Sequence, residues 1–191
     1  SSNDLTFNSD GGTSQTLKGD FTIASGETLT IGSSQTLTIA SGVTLENVGI
    51  LINIGTFTTT GTLTNTGLVL DKSSNDLTFN SDGGTSQTLN NAFTISSGET
   101  LTINNGVTLT INGVTLTIDY GGTLTITSSG GASGAIEIAT GGEIECSGTI
   151  TPGASFTGSS SGLVSFASIA AYDNSVASGL ELGISLGGDR T

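Results

Sequence analysis

The sequence is poor in the residues on which most catalytic and metal sites depend. It has no His, Met or Trp, one Pro, one Cys and only three Lys or Arg, against 16 Asp and Glu. A single cysteine, Cys146, cannot form an internal disulfide, and Cys/His metal sites are excluded. The net charge of −13 excludes binding to nucleic-acid phosphates. No apolar run reaches 18 residues, so we expect no membrane insertion.

What the sequence has in abundance is small and β-branched polar residues. Thr, Ser and Gly number 34, 27 and 30 among 191 residues, and hydrophobic residues make up 34%. Threonine, valine and isoleucine favour pleated, half-buried strands, and glycine favours turns. The hydrophobic residues recur at regular spacing, which argues against a disordered linker. The composition therefore predicts an all-β fold.

A long internal repeat is the strongest signal. Residues 1–17 recur without change as residues 73–89, and 31 of the 39 positions in 1–39 are identical 72 residues later. Such a repeat predicts a repetitive architecture. We expect a β-solenoid over residues 1–158, containing the repeats 1–72 and 73–144, and a separate C-terminal segment over residues 159–191.

A shorter period lies within each repeat. Leu29, Leu37 and Leu45 are eight residues apart, in blocks such as GETLTI in which Leu and Ile alternate with Thr. This period of two predicts short strands with Leu and Ile on one face and Thr on the other. Three strands per coil give about 24 residues, which Leu5 and Leu29 match. We predict a single-stranded, right-handed parallel β-helix of about eight coils.

The motifs GETLTI, SSQTLTI and GTFTTTGTLTNTG, within residues 1–150, carry a family resemblance. They resemble the Thr/Gly-rich β-solenoid repeats of microbial surface proteins, including adhesin passenger domains and surface-filament proteins. The resemblance implies a role in adhesion or as a structural fibre. It transfers no functional residue, because the matching positions are expected core Leu and Ile and exposed Thr.

The C-terminal segment supports two interpretations. Its alternating apolar residues predict a further strand, which could cap the last coil. Alternatively, GISLGGDR at 183–190 imitates GLVLDK at 67–72, which precedes the second SSNDLTF, so that two molecules placed end to end would recreate the internal junction. Non-closing contacts of this kind build filaments. The expected interface comprises Leu5 and Phe7 at one end and Leu180, Leu182, Ile184 and Leu186 at the other.

Candidate chemical sites are weak, and we predict no enzyme activity and no cofactor. The best carboxylate cluster is Glu137, Glu143 and Glu145, for which a solvated acidic face is much the favoured interpretation. Asp10 and Asp82, in the repeated NSDGG motif, could bind Ca²⁺ through oxygen ligands. An Asx turn with a glycine corner is the alternative.

Together these features favour a structural role outside the cell. No leader segment is visible, and the acidic, nearly Cys-free β composition is typical of a processed extracellular or cell-surface chain. We predict a filament subunit whose partner is a further copy of itself, stacked head to tail. The alternative is a monomeric adhesive or ice-binding module, for which ranks of Thr would have to align from coil to coil on one face.

Overall fold

A computed structural model describes residues 3–6, 13–129, 132–133, 135–138, 141–151, 156–158 and 163–166. These residues form an all-β structure without α-helix, in which stacked parallel strands make a β-solenoid of about six turns. A three-residue 3-10 helix, Ser81–Gly83, lies near the repeat boundary. The predicted fold class is thus confirmed at the level of a parallel β-solenoid.

The strands fall into two groups on either side of the repeat boundary. The first group is β1 (Asn3–Thr6), β2 (Ser14–Leu17), β3 (Phe21–Ile23), β4 (Glu27–Ile31), β5 (Thr36–Ile39), β6 (Thr44–Asn47), β7 (Ile50–Asn53), β8 (Thr56–Thr59), β9 (Thr62–Asn65) and β10 (Leu68–Ser73). The second group is β11 (Asp76–Phe79), β12 (Ser86–Leu89), β13 (Phe93–Ile95), β14 (Thr100–Ile103), β15 (Thr108–Ile111), β16 (Thr115–Ile118), β17 (Thr123–Ile126), β18 (Ser128–Ser129), β19 (Ala132–Ser133), β20 (Ala135–Ile138), β21 (Glu143–Cys146), β22 (Thr149–Thr151), β23 (Phe156–Gly158) and β24 (Leu163–Phe166).

Each group forms a stack with three sheets. An eight-stranded sheet is common to both stacks, in the order β1-β4-β7-β10-β11-β14-β17-β22. The first stack adds the sheets β2-β5-β8 and β3-β6-β9. The second adds β12-β15-β20-β23 and β13-β16-β21-β24. The alternation predicted from the TLTI blocks holds, because in β5 Leu37 and Ile39 are buried while the two Thr side chains are half-buried.

The length of a turn varies along the chain. Leu5 pairs with Leu29, 24 positions on, whereas Ile50 pairs with Leu68 after 18 and Thr115 with Glu143 after 28. The shortest turn has two-residue corners and a glycine at every sixth position from Gly49 to Gly67. The longest turn contains the small antiparallel hairpin of β18 and β19. Corner length, rather than strand length, sets these differences.

The chain reverses direction where the two repeats meet. β10 and β11 pair antiparallel, with Leu70 opposite Phe79. Residues opposite each other on neighbouring strands lie on the same face of the sheet. Leu70 therefore faces the second stack's core together with Phe79, whereas its neighbour Val69 belongs to the first stack's core. The two cores therefore lie on opposite faces of the common sheet. Because strand direction and core side both change, the two stacks coil with the same hand.

This arrangement replaces the expected uninterrupted column. The outer face of the first stack carries Thr28 and Thr30 on β4. The Thr28 row continues with Ile50 and Leu68, and the Thr30 row with Ile52 and Leu70. Ile50, Leu68 and Leu70 are buried in the second stack's core. A sheet buried on both faces needs continuous apolar runs instead of alternation. The runs ILIN and LVLD meet this requirement.

Candidate assembly surface

The end of the first stack that lies away from β10 is formed by three strand edges. β1, β2 and β3 are the first strands of their sheets, and within the described part of the chain each pairs with one neighbour only. Strand edges present N–H and C=O groups that can pair with another chain. Leu5 lies in β1, but Phe7 and the four predicted interface residues of the C-terminal segment lie outside the described residues.

In the second repeat the corresponding end contacts the first stack, although β12 and β13 are again the first strands of their sheets. Leu89 is fully buried whereas its counterpart, Leu17, is half-buried. The N–H of Thr88 donates to the carbonyl of Gly67 at 3.2 Å. Thr16, the counterpart of Thr88, occupies the same position on the edge strand β2. The edge that the second repeat buries inside the molecule is thus exposed in the first.

Two asparagines that directly follow β12 form hydrogen bonds from the second repeat to the first stack. The amide nitrogen of Asn90 donates to the carbonyl oxygens of Thr66 at 2.9 Å and Val48 at 3.3 Å. The amide oxygen of Asn91 accepts from the N–H of Gly26 at 2.5 Å. The first repeat has Lys18 and Gly19 at these positions, within the few differences between the repeats. The sequence analysis did not predict these hydrogen bonds, although the repeats differ at the two positions that form them.

The predicted calcium motif forms a turn. Asp82 is exposed in the 3-10 helix, and its N–H donates to Asn80 Oδ1 at 2.7 Å. Asn80 Nδ2 donates to both carboxylate oxygens of Asp71, at 2.9 and 2.8 Å. Asn80 is thus engaged as the cap of an Asx turn, as the alternative interpretation held. Asp10 lies outside the described residues, which contain no group of three or more acidic, His or Cys side chains arranged to hold a metal ion.

Two ladders of polar side chains run through the first stack beside this turn. Asn47 Nδ2 donates to Asn65 Oδ1 at 2.8 Å, and Asn53 Nδ2 to Asp71 Oδ1 at 2.9 Å. The Oδ1 atoms of Asn47 and Asn53 are buried without a partner. One strand earlier, the same rows hold Ile23 and Ile31, which offer no side-chain donor. The unpaired oxygens are therefore explained as the ends of the ladders.

The remaining candidate residues are dispersed. Glu137 lies on β20, in a different sheet from Glu143 and Glu145 on β21, so the three carboxylates do not share one face. Cys146 is buried in the second core, as a small apolar residue would be. Tyr120 is 84% exposed and is the one tyrosine among the described residues.

Threonine pairs do align from turn to turn. On the common sheet, Thr100, Thr123 and Thr149 form one row. A second row follows two residues on, and it contains Thr78, Thr102, Thr125 and Thr151. The rows are about 6.8 Å apart along the strands and the ranks about 4.8 Å apart across them. The array forms because each turn, whatever its length, brings a Thr pair back to this sheet in the same register.

One ion pair joins the two stacks. Lys72 Nζ on β10 contacts Glu99 Oε1, just before β14, at 2.5 Å. Burial by itself would raise the pKa of Glu99. The hydrogen bonds from Lys72 and from the Ser96 N–H, together with the charge of Lys72, outweigh burial and hold that pKa below its ordinary value of 4.5.

This ion pair predicts a pH dependence. Because the pKa of Glu99 is lowered by folding, its contribution is fully present above pH 4.5 and is lost as the pH falls through the lowered value. We expect Glu99→Gln to reduce the dependence of unfolding free energy on pH below 4.5, measured by urea denaturation. Lys72→Gln should have the same effect. An unchanged slope in both variants would contradict the assignment.

Comparison of the chain with protein-family models, curated proteins and solved structures finds no match. The described residues include no helix with the length and apolarity needed to cross a membrane.

Proposed function

We propose that this protein is a structural subunit of an extracellular filament that polymerises head to tail through the ends of its β-solenoid. One observation carries the proposal: β1 pairs only with β4 in the described part, whereas β11, its counterpart in the second repeat, pairs with both β14 and β10. Assembly would bury that end in the same way. The acidic, Thr-rich exterior would keep the fibres soluble and separate.

The proposal extends to the finer geometry. Right-handed coiling is expected because parallel crossovers are overwhelmingly right-handed. Residues 167–191, which follow β24, would add about one further turn of about 24 residues to the six described turns, towards the predicted eight. Pairing of the backbone at the joint and continuation of the Leu/Ile core would supply the binding free energy.

Electron microscopy and sedimentation velocity over a concentration series test the filament directly. We expect linear fibres whose length increases with protein concentration. Particles that remain single at the highest soluble concentration would contradict the proposal.

A single substitution links the fibres to the strand edge. Thr36 N–H donates to Thr13 O and Ala40 N–H to Leu17 O, so the N–H groups of even-numbered residues in β2 point away from β5. Thr16→Pro should abolish assembly with little loss of stability, because proline is tolerated on edge strands. Thr88→Pro removes the internal bond to Gly67 and should instead destabilise the monomer. Fibres of Thr16→Pro that resemble the wild type would contradict the role of β2.

The aligned threonine rows favour ice binding as a second function. A flat array of Thr methyl and hydroxyl groups at regular spacing could order water, and it needs no assembly. Thermal hysteresis of the purified protein tests this function. If ice binding is correct, Thr125→Lys should abolish hysteresis, whereas Thr16→Pro should retain it.

A further inference from the structure

We infer that residues 183–190 of one copy pair antiparallel with the exposed edge of β1 in a second copy, which rests on the proposed filament and specifies its joint. The internal junction supplies the template. β11 has β14 as a parallel neighbour on one side and β10 as an antiparallel neighbour on the other. β1 and β11 lie in identical stretches of the two repeats, and β1 pairs in parallel with β4, the counterpart of β14, in the same register. Only the counterpart of β10 is missing from the described residues.

The segment GISLGGDR has the pattern of the strand that would fit there. Ile184 and Leu186 correspond to Leu68 and Leu70 of β10, with Ser185 in place of Val69, and both segments then reach an acidic and a basic residue. The two extra glycines, Gly187 and Gly188, leave the following residues on the same face, because strands alternate with a period of two. Aligning Leu186 with Leu70 places Gly187 opposite Thr6, as Asp71 lies opposite Thr78.

Charge complementarity points to the same pairing. Lys72 reaches Glu99 across the internal junction. Glu27 is the counterpart of Glu99, and each carboxylate also accepts a hydrogen bond from a backbone N–H three residues earlier. The described residues contain no ion pair for Glu27. The register that aligns Leu186 with Leu70 places Arg190 two positions beyond that of Lys72, opposite Asn3, whose partner on β4 is Glu27. We therefore assign Arg190 as the partner of Glu27 in the next copy.

The sheet order favours a second copy over the chain's own tail. β1 and β22 are the opposite edges of the eight-stranded sheet. Seven strand spacings separate them, which is about 34 Å. A C-terminal segment that continues the second stack leaves the molecule at the edge far from its own β1, where it meets the next copy.

Disulfide trapping tests the register. In a Cys146→Ala background, Thr6→Cys and Gly187→Cys are placed on separate molecules, mixed and mildly oxidised. We expect a disulfide-linked dimer in the mixture, since opposed strand residues have suitable Cα separations. Ser73→Cys with Asp76→Cys, an opposed pair in the described hairpin, is the positive control. Leu5→Cys in place of Thr6→Cys is the register control, because successive positions along a strand face opposite sides of the sheet.

The outcomes separate the joint from the filament. Absence of the 6–187 disulfide, or equal trapping with Leu5→Cys, overturns the joint, and fibres in the same samples would leave the filament intact. A disulfide that forms within the monomer of the double variant overturns intermolecular pairing. Absence of both disulfide and fibres overturns both. As a second readout, Arg190→Glu should raise the critical concentration about fivefold, and adding Glu27→Arg should restore it.

Discussion

Replacing Gly61 by alanine is expected to lower the unfolding free energy by about 3 kcal/mol, because the first stack has no room for a Cβ atom there. Gly61 lies in a two-residue corner directly above the preceding turn. An added Cβ would clash with the carbonyl oxygens of Ala40 and Val43 and lie 2.7 Å from Ile39 Cγ2. The carbonyls belong to the backbone, so relief requires the turn spacing itself to change.

Two other glycines separate this packing effect from backbone conformation. Gly26 has φ of 89° and no atom within 4 Å of an added Cβ, so Gly26→Ala should cost only about 1–2 kcal/mol. Gly19 has neither positive φ nor a close neighbour, and Gly19→Ala should be neutral or stabilise by up to about 1 kcal/mol. Urea midpoints at constant m-value give the ranking. Equal midpoints for Gly61→Ala and Gly19→Ala would contradict the close approach.

The glycine corners also show where sequence reasoning stopped short. The TLTI blocks predicted the strands and their buried face correctly, because burial of Leu and Ile follows directly from alternation. The sequence also contains a glycine at every sixth position from Gly49 to Gly67. The prediction of a constant coil of about 24 residues did not take this shorter spacing into account. Turn length depends on which carbonyls each corner meets in the turn below, which is a long-range property.

The reversal between the stacks was harder to predict. Its turn begins SSND, and the identical residues also begin the first repeat, so local sequence alone does not define a hairpin. Ser74, the only described non-glycine residue with positive φ, lies in this turn. What distinguishes the junction is the preceding strand, LVLD, whose consecutive apolar residues indicated burial on both faces. The sequence repeat predicted an assembly surface at the start of the first repeat. That β11, the counterpart of β1, pairs with β10 became evident only from the structure.

The contact between the stacks should be the most sensitive part of the molecule. Leu68 and Leu70 project from the first stack into the second core and are 1% and 0% exposed. The same face carries Thr28 and Thr30 on β4. Leu68→Thr with Leu70→Thr would restore the alternation seen elsewhere, but it removes two buried side chains and leaves hydroxyls in an apolar core. We expect a loss of about 5 kcal/mol or more, a large fraction of a typical domain's stability.

The expected unfolding behaviour distinguishes a broken contact from general damage. If these leucines couple the stacks, the double variant should unfold in two steps by denaturant, and hydrogen exchange should increase first in β10 and β11. Thr30→Leu makes the reverse exchange on the same face, two strands before β10, and should change stability by less than about 1 kcal/mol. A double variant that unfolds at the wild-type midpoint would show that the two stacks are held together elsewhere. Such a result would also remove the structural reason for the continuous apolar runs in β7 and β10.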